Sequence, residues 1–338
     1  MNLKKLASLF LFGVLILALG VFWWQTRPER MLKYTGPVQD VRLGVSAAGQ
    51  QLSALIYIAD KKGYFTDNKL NVIFTVDANS TASRKNVSEG SEDLGTTSDF
   101  AFVGDSFTPT NLRILAVISN SRLIEIIGRK DKGITKDSNL KGKKVALTTK
   151  SSGEFFFGEF LAFNNLKLSD VTVVPSDFSK AQAAIIDGTV DAVVSNDPFA
   201  YQIKQKLGEN AVQIPTQINR NNNLLLISNE KFVQEKPEAI ERFLSALIQA
   251  EDFAKANPQE SKKIIGDKFK FDQAFLDQNW PKNSFTVSLS QSLLLGMEDE
   301  ARFMIANQLT DKTNVPNFND FIYKDALRKV KLEAVTLY

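Results

Sequence analysis

Short apolar strands alternate with amphipathic helices through most of this chain. Residues 41–45 predict a strand, and apolar positions within 52–59 follow helical spacing up to Gly63, which suits a helix C-cap. A second strand is predicted at 71–76, and the same alternation returns over residues 144–194. Repeated strand–helix units are typical of α/β folds with largely parallel sheets. The sequence therefore predicts an α/β protein with mainly parallel sheets.

A short pattern in the first half of the chain recurs in the second half. In each copy an acidic residue and a glycine close a predicted helix, at Glu89-Gly90 and at Asp187-Gly188. An aspartate then enters the next apolar strand, and a polar cluster follows that strand. Two similar βα lobes that face one another would produce this repetition in a chain of 338 residues, which is longer than one average domain. Chance recurrence of a common helix–glycine–strand connection is the alternative.

The N-terminal segment 1–30 predicts a targeting sequence. Two lysines precede an apolar run at 6–24, whose first part suits a signal peptide with a small-residue cleavage site at 18–20. The run nevertheless continues through 21–24 to the length of a spanning helix and ends in tryptophans, which favours an uncleaved membrane anchor. Either alternative exports the body to the extracytoplasmic face of the inner membrane if the N-terminus stays inside. Residues 31–40 read as a linker.

Composition excludes several classes of function. The chain contains no cysteine and no histidine, so disulfides, thiol catalysis and sites built from thiolate or imidazole ligands are absent, and we expect neither a metal nor a cofactor. Four of the basic residues lie within positions 1–30, and the remainder is formally neutral. A body without a dense basic tract is not typical of a nucleic-acid-binding protein, so nucleic acid is excluded as a partner.

Small polar residues collect in the loops that follow the predicted strands. Ligands of open α/β sheets bind beyond the carboxyl ends of the strands, where hydroxyls and free amides at helix N-termini hold anions well. The predicted ligand-binding residues are Ser46, Gln50, Gln51, Ser80, Thr81, Thr97 and Ser98 from the first half, and Ser151, Ser152, Glu154, Phe155, Asn196 and Asp197 from the second half.

Several of these side chains also have a purely structural interpretation. Ser151 as N-cap and Glu154 at N3 would form a capping box, whereas Glu154 facing a ligand would favour a cationic or zwitterionic molecule. Asp197 could pair with a ligand ammonium group or act as N-cap with Pro198 at the first helical position. Phe155 could stack on a ring or belong to the core.

Three segments together resemble one known family. These are the AxxKGYF-like segment at 59–65, the LKGKKV segment at 140–145, and the segment from Asp187 to Pro198 with its GxVDA strand. In this order and spacing they resemble the nitrate/sulfonate/taurine-type periplasmic binding proteins, the family also named for thiamine-pyrimidine synthase. The resemblance covers roughly residues 41–260 and is weak for each segment alone.

The resemblance implies a bilobed periplasmic-binding-protein fold with the ligand in the cleft. The first lobe would contain residues 41–120 and 220–338, and the second lobe would contain residues 121–219. Two chain crossings would form the hinge, and closure of such lobes around a ligand is a recognised motion.

The same resemblance implies a solute-binding protein of an ABC importer, with a permease and an ATPase as partners. The small-molecule ligand would be of the sulfonate, taurine, nitrate or pyrimidine class. The pyrimidine synthases of the family consume an active-site histidine, which this chain lacks, so binding without chemistry is expected. A sensory protein that signals through a membrane partner is the alternative, followed by another enzyme on the same fold.

Overall fold

A computed structural model describes residues 34–47, 51–135, 139–217 and 220–337 of the chain. The targeting segment predicted at the N-terminus, including its apolar run, lies outside these residues. Within the described ranges, no helix combines the length and the apolar character that crossing a membrane requires.

The first sheet contains six strands in the order β11-β4-β10-β3-β1-β2. Strands β1 and β2 pair in parallel, as do β1 and β3, whereas β10 is antiparallel to both of its neighbours. The strands are β1 Gln39–Ser46, β2 Leu70–Asp77, β3 Leu94–Ser98, β4 Leu112–Ser121, β10 Asn222–Asn229 and β11 Asn283–Ser284.

The second sheet contains five strands in the order β7-β6-β8-β5-β9. Strand β6 is parallel to β7 and β8, whereas β5 is antiparallel to β8 and β9. The strands are β5 Ile124–Arg129, β6 Lys144–Leu147, β7 Thr172–Pro175, β8 Ala192–Asn196 and β9 Ala211–Pro215, and a separate parallel pair is formed by β12 Leu289–Ser290 and β13 Val335–Thr336.

Helices connect and cover these strands. Those of the first part of the chain are α1 Ala54–Lys62, α2 Tyr64–Asp67, α3 Ser80–Glu89 and α4 Asp99–Ser106, and those beside the second sheet are α5 Ser152–Phe163, α6 Phe178–Asp187 and α7 Phe199–Leu207. The C-terminal helices are α8 Glu230–Glu235, α9 Pro237–Ala256, α10 Pro258–Phe269, α11 Gln273–Asn279, α12 Gln291–Ala306 and α13 Asp325–Val330. Short 3-10 turns lie at Gln51–Ser53, Lys130–Lys132, Leu168–Asp170, Gly208–Asn210, Trp280–Lys282, Phe318–Phe321 and Leu332–Ala334.

The α/β prediction is confirmed, with one difference in strand direction. Both sheets are mixed because β5 and β10 enter them from the other sheet and run opposite to the strands beside them. The expected C-cap at Gly63 is also confirmed, since α1 ends at Lys62 and Gly63 adopts a φ of 77°. This left-handed conformation is one that glycine adopts without steric cost.

The repeated sequence pattern corresponds to one structural unit that occurs in both sheets. Asp93 accepts a hydrogen bond from the backbone N–H of Arg42 in β1, at 2.8 Å, and donates its own N–H to the Arg42 carbonyl. Asp191 makes the same two contacts with Lys144 at the start of β6, again at 2.8 Å from the carboxylate. Each aspartate therefore fixes the register between a parallel strand pair, which is a structural reason for the repetition.

Two carboxyl groups meet beside Gly44 of β1. Asp77 at the end of β2 and Glu92 after α3 are both buried, and one carboxylate oxygen of each has no hydrogen-bond partner among the described residues. They occupy the space above Gly44, where any Cβ would overlap both groups. Burial, followed by the charge of Asp77, raises the pKa of Glu92 to about 7. Glu92 therefore takes up a proton as the pH falls through about 7.

We expect this pair to make stability depend on pH. Because the pKa of Glu92 is higher in the folded than in the unfolded chain, its contribution is present at about pH 4 and is lost as the pH rises through about 7. Glu92→Gln should remove this loss and stabilise the protein by about 2 kcal/mol at about pH 8. Urea unfolding at several pH values measures the effect, with the exposed Glu89→Gln as control. Identical pH profiles of wild type and Glu92→Gln would contradict it.

Candidate functional site

A cavity of about 320 Å³ lies where the loops of the two sheets meet. It is bordered by residues from the elements of both sheets, many of them in loops or at helix starts. Its walls are formed by Leu52, Asn79, Ser80, Thr81, Ser98, Ala101, Asn222 and Leu224 from the elements of the first sheet, and by Ile124, Thr148, Thr149, Lys150, Ser151, Ser152, Gly153, Phe178, Val194, Ser195 and Asn196 from those of the second.

Helices α3, α4 and α5 all begin at this cavity. Asn79 caps α3 by accepting from the N–H of Ala82 at 2.9 Å, and Ser98 caps α4 by accepting from the N–H of Ala101 at 3.3 Å. Ser151 occupies the N-cap position of α5 on the opposite wall. The first turn of a helix carries unpaired N–H groups and a partial positive charge. The cavity is therefore a site where three helix N-termini favour a negatively charged group.

The charged side chains around the cavity support the same conclusion. Among the described wall residues, Lys150 is the cation, and none is a carboxylate. Lys150 adopts a φ of 54° just before α5, and its side chain is exposed. A flexible ammonium group beside a helix N-terminus suits a small anion.

The predicted role of Glu154 is corrected in detail. Ser151 is the N-cap of α5, but its hydroxyl donates to the Thr148 carbonyl at 2.6 Å rather than accepting from the helix. Glu154 accepts from the N–H of Lys150 at 2.6 Å, not from that of Ser151, so the reciprocal capping box is not formed. Its side chain is buried and outside the cavity walls, and burial raises its pKa. The carboxylate therefore closes the turn before the helix.

Asp197 also differs from its predicted position. Helix α7 begins at Phe199 with Pro198 as N-cap, so Asp197 is not the N-cap and proline is not the first helical residue. Asp197 instead reaches past Pro198, which has no N–H, and accepts from the N–H of Tyr201 at 2.8 Å. Its other oxygen lies 3.6 Å from the Lys282 ammonium group. The side chain is buried by these contacts and does not line the cavity.

Other predicted residues lie behind the wall. Ser46 is buried, and its hydroxyl is 3.2 Å from that of Ser80, which does line the cavity. Thr97 is buried and accepts from Arg84 at 3.2 Å. Gln51 donates its side-chain amide to the carbonyl of Asp197 and so joins loops of the two sheets. Gln50 lies outside the described residues.

Phe155 is placed in the core. It is 1% exposed and stacks on Phe100 with ring centroids 5.6 Å apart, while Phe303 approaches it edge-on at 5.2 Å. Of the two predicted roles, the geometry therefore supports packing in the core and not stacking on a ligand ring. The predicted residues that the structure brings together on the cavity walls are Ser80, Thr81, Ser98, Ser151, Ser152 and Asn196.

Sequence reasoning missed wall residues whose positions depend on tertiary contacts. Asn222 begins β10, and its carboxamide oxygen is buried with no hydrogen-bond partner among the described residues, as is that of Asn196. Phe178 begins α6 and stacks on Phe199 at 5.0 Å. Lys150 directly precedes Ser151 and Ser152, which the sequence did predict as ligand-binding residues. No local signal marks Asn222, because only the strand pairing brings it to the cavity.

Comparison with known proteins gives a consistent result for family and fold. A sequence model described as NMT1/THI5 like matches residues 50–261. A provisionally named binding protein of Brucella abortus (strain 2308) is 27% identical over 236 residues, covering 67% of this chain and 70% of that protein. The 4-amino-5-hydroxymethyl-2-methylpyrimidine phosphate synthase of Candida albicans (strain WO-1) is 24% identical over 243 residues, covering 63% of this chain and 66% of that protein.

A solved structure shares the overall fold. The periplasmic aliphatic sulphonate binding protein SsuA of Escherichia coli superposes with a TM-score of 0.71 at 17% identity. The match covers 85% of this chain and 98% of that one. At this identity the similarity establishes the periplasmic-binding-protein fold, and the predicted fold class is confirmed.

The position of Glu154 leads to a prediction about stability. Glu154→Ala leaves the N–H of Lys150 without its partner, and we expect unfolding to become easier by about 1 kcal/mol. Glu154→Gln keeps an acceptor oxygen and should cost less. Urea unfolding measures both, with the exposed Glu209→Ala as control. If Glu154→Ala instead weakened ligand binding at unchanged stability, the carboxylate would have to face the ligand.

Proposed function

The chain belongs to the NMT1/THI5-like family, and from this membership and the geometry of the cleft we propose that it is the extracytoplasmic solute-binding component of an ABC importer. The observation that carries the proposal is a cavity between two sheets with three helix N-termini and Lys150 on its walls. Such a site would bind a ligand reversibly. The family resemblance of the sequence implies a permease and an ATPase as partners. The predicted N-terminal targeting segment fits export of the body.

The ligand that this cavity suits is a small organic anion. Its charged head would bind the first amides of α5 at Ser152 and Gly153, with Lys150 completing the charge. The apolar remainder would pack against Phe178 and Leu224, which line the same cavity. Binding sites of this kind combine apolar walls with a few polar groups that fix orientation. A sulfonate is the simplest ligand of this description.

Two amide side chains would select ligands further. The buried oxygens of Asn196 and Asn222 are acceptors without a partner among the described residues, and leaving such atoms unpaired costs free energy. A ligand that carries an N–H or O–H group would satisfy them. An amino-sulfonate such as taurine, or an aminopyrimidine with an anionic substituent, therefore fits better than nitrate.

Closure of two lobes would complete the site. We assign residues 41–120 and 220–338 to the first lobe and 121–219 to the second, because each set contains the strands of one sheet. The crossings between β4 and β5 and between β9 and β10 would act as the hinge. Contacts such as the bond from Gln51 to the carbonyl of Asp197 would form as the lobes close.

Catalysis is the competing function, since the fungal relatives are synthases. Histidine, glutamate and aspartate are common general bases, and the described wall residues include none of them. The sequence also has no histidine, whereas the family resemblance implies a synthase that consumes one, and this supports binding without chemistry. Binding without chemistry is therefore the function that we propose.

A thermal-shift screen of the purified protein tests the proposal. The compounds are alkanesulfonates, taurine, nitrate, bicarbonate and thiamine-precursor pyrimidines. A true ligand at a hundredfold excess over its Kd should add about 2.7 kcal/mol of stability and raise the Tm. Lys150→Met should weaken binding about tenfold, whereas Lys141→Met, in an exposed turn away from the cavity, should not. If both variants kept the ligand-induced shift in Tm of wild type, Lys150 would not contribute to ligand binding.

A further inference from the structure

Arg220 lies on the crossing between the second and the first sheet, between β9 and β10. Its Nη2 is 2.6 Å from Oδ2 of Asp299 on α12 and 3.8 Å from Oε1 of Glu159 on α5. Its guanidinium carbon lies 5.3 Å from the ring centroid of Phe155, also on α5. One side chain therefore contacts two helices that flank the crossing.

These two helices belong to different sheets. Helix α5 follows β6 and packs against the second sheet, whereas α12 packs against α4, which follows β3 of the first sheet. The two helices also meet directly, because the ring of Phe303 on α12 lies so close to Gly158 on α5 that a Cβ would overlap it. Arg220 thus sits at the junction between the halves, on the same helices that make this contact.

The surroundings of Arg220 are largely shielded from water. Its side chain is 28% exposed, and its Nη1 is buried without a hydrogen-bond partner among the described residues. Phe155 beneath it is buried and continues into the rings of Phe100 and Phe303. Charge pairs and cation–π contacts are stronger in such partly desolvated places than at the surface. The contacts of Arg220 are therefore more than a surface ion pair.

Helix α5 connects this junction to the cavity. Phe155 and Glu159 are four residues apart and so lie on one face of α5, while the start of the same helix, Ser151–Gly153, forms the cavity wall. The length from Gly153 to Glu159 is under two helical turns. A shift of this helix face away from Arg220 would move the wall that presents the anion-binding amides.

We propose that Arg220 is a positioning residue that clasps α5 to α12 and thereby holds the two halves closed over the cavity. Its effect on ligand affinity rests on the proposed function, because Arg220 is not among the wall residues and acts through α5. Its effect on closure does not depend on a ligand. Without the clasp, the halves would spend more time apart and the wall at Ser152 would be less well placed.

The chain provides a matched control for this clasp. Arg302 also pairs with Asp299, at 2.8 Å, but its side chain is 56% exposed, and no described contact joins it to α5. Arg302→Gln therefore removes a cation from the same carboxylate without touching the junction. Arg220→Met keeps the length of the side chain and loses its charge, and Glu159→Gln weakens the clasp from the opposite helix.

The distance between the halves tests the clasp without any ligand. Because the chain has no cysteine, spin labels can be placed at Lys85→Cys on α3 and Lys180→Cys on α6, two exposed positions on helices that begin at opposite walls of the cavity. Electron–electron double resonance on the full chain in detergent measures the distance between the two labels. This distance should be longer and more broadly distributed for Arg220→Met than for wild type. Glu159→Gln should show a smaller change in the same direction, and Arg302→Gln none. If folded Arg220→Met gave the wild-type distribution, the proposal would be overturned.

Binding of taurine, used as a sulfonate probe, tests the effect on the site. We expect Arg220→Met to weaken taurine binding about tenfold, mainly through faster dissociation, and the double variant with Glu159→Gln to be weakened by little more. Arg302→Gln should bind as wild type does. Equal affinity of Arg220→Met and wild type would overturn the positioning role. Failure of wild type to bind taurine would count against the sulfonate ligand, while the distance measurement would still decide on the clasp.

Discussion

The crossing of the chain between the two sheets is the constraint on which the rest of the structure depends. It is held by Gln217, which accepts from the N–H of Ile124 and donates to the carbonyl of Ser121, both at 2.9 Å. Thr216 adds a bond of 2.7 Å to the carbonyl of Ile124. These bonds join the outgoing crossing to the returning one. Because β10 then enters the first sheet between β3 and β4, the start of that strand is carried to the cavity.

Several site features follow from this return. Asn222 and Leu224 reach the wall because they begin β10, and Asn223 donates to the buried carboxylate of Asp99 at the start of α4. Burial raises the pKa of Asp99 to about 6, although the bonds from Asn223 lower it. The same return places Arg220 between α5 and α12. The segment between β9 and β10 and the start of β10 thus supply a cavity wall, a support for a helix start and the arginine of the proposed clasp.

The electrostatic character of the cavity depends on the hydrogen bonds of the carboxylates near it. Glu154 and Asp197 lie close in sequence to residues of the cavity wall, yet Glu154 accepts from a backbone N–H in the turn before α5 and Asp197 accepts from one in the first turn of α7. A carboxylate in such a bond stabilises the turn and is removed from the ligand. The amides at the starts of α3, α4 and α5 and the ammonium group of Lys150 are then the positive groups on the described walls, which is why an anion is the ligand of our proposal.

The sequence by itself determined the features that depend on local spacing. Strand–helix alternation indicated the fold class, Gly63 marked a helix end, and the recurring Asp93 and Asp191 pointed to two similar units. Polar residues after strands placed the loops of the site, because the chain direction fixes which strand end they follow. Only the tertiary structure decided the direction of each side chain in those loops. Glu154 closes a local turn with Lys150, whereas Phe155 enters an aromatic core because Phe100 and Phe303, both distant in sequence, pack against it. The antiparallel course of β10, which brings Asn222 to the cavity, results from the chain crossing, and no local sequence pattern indicates it.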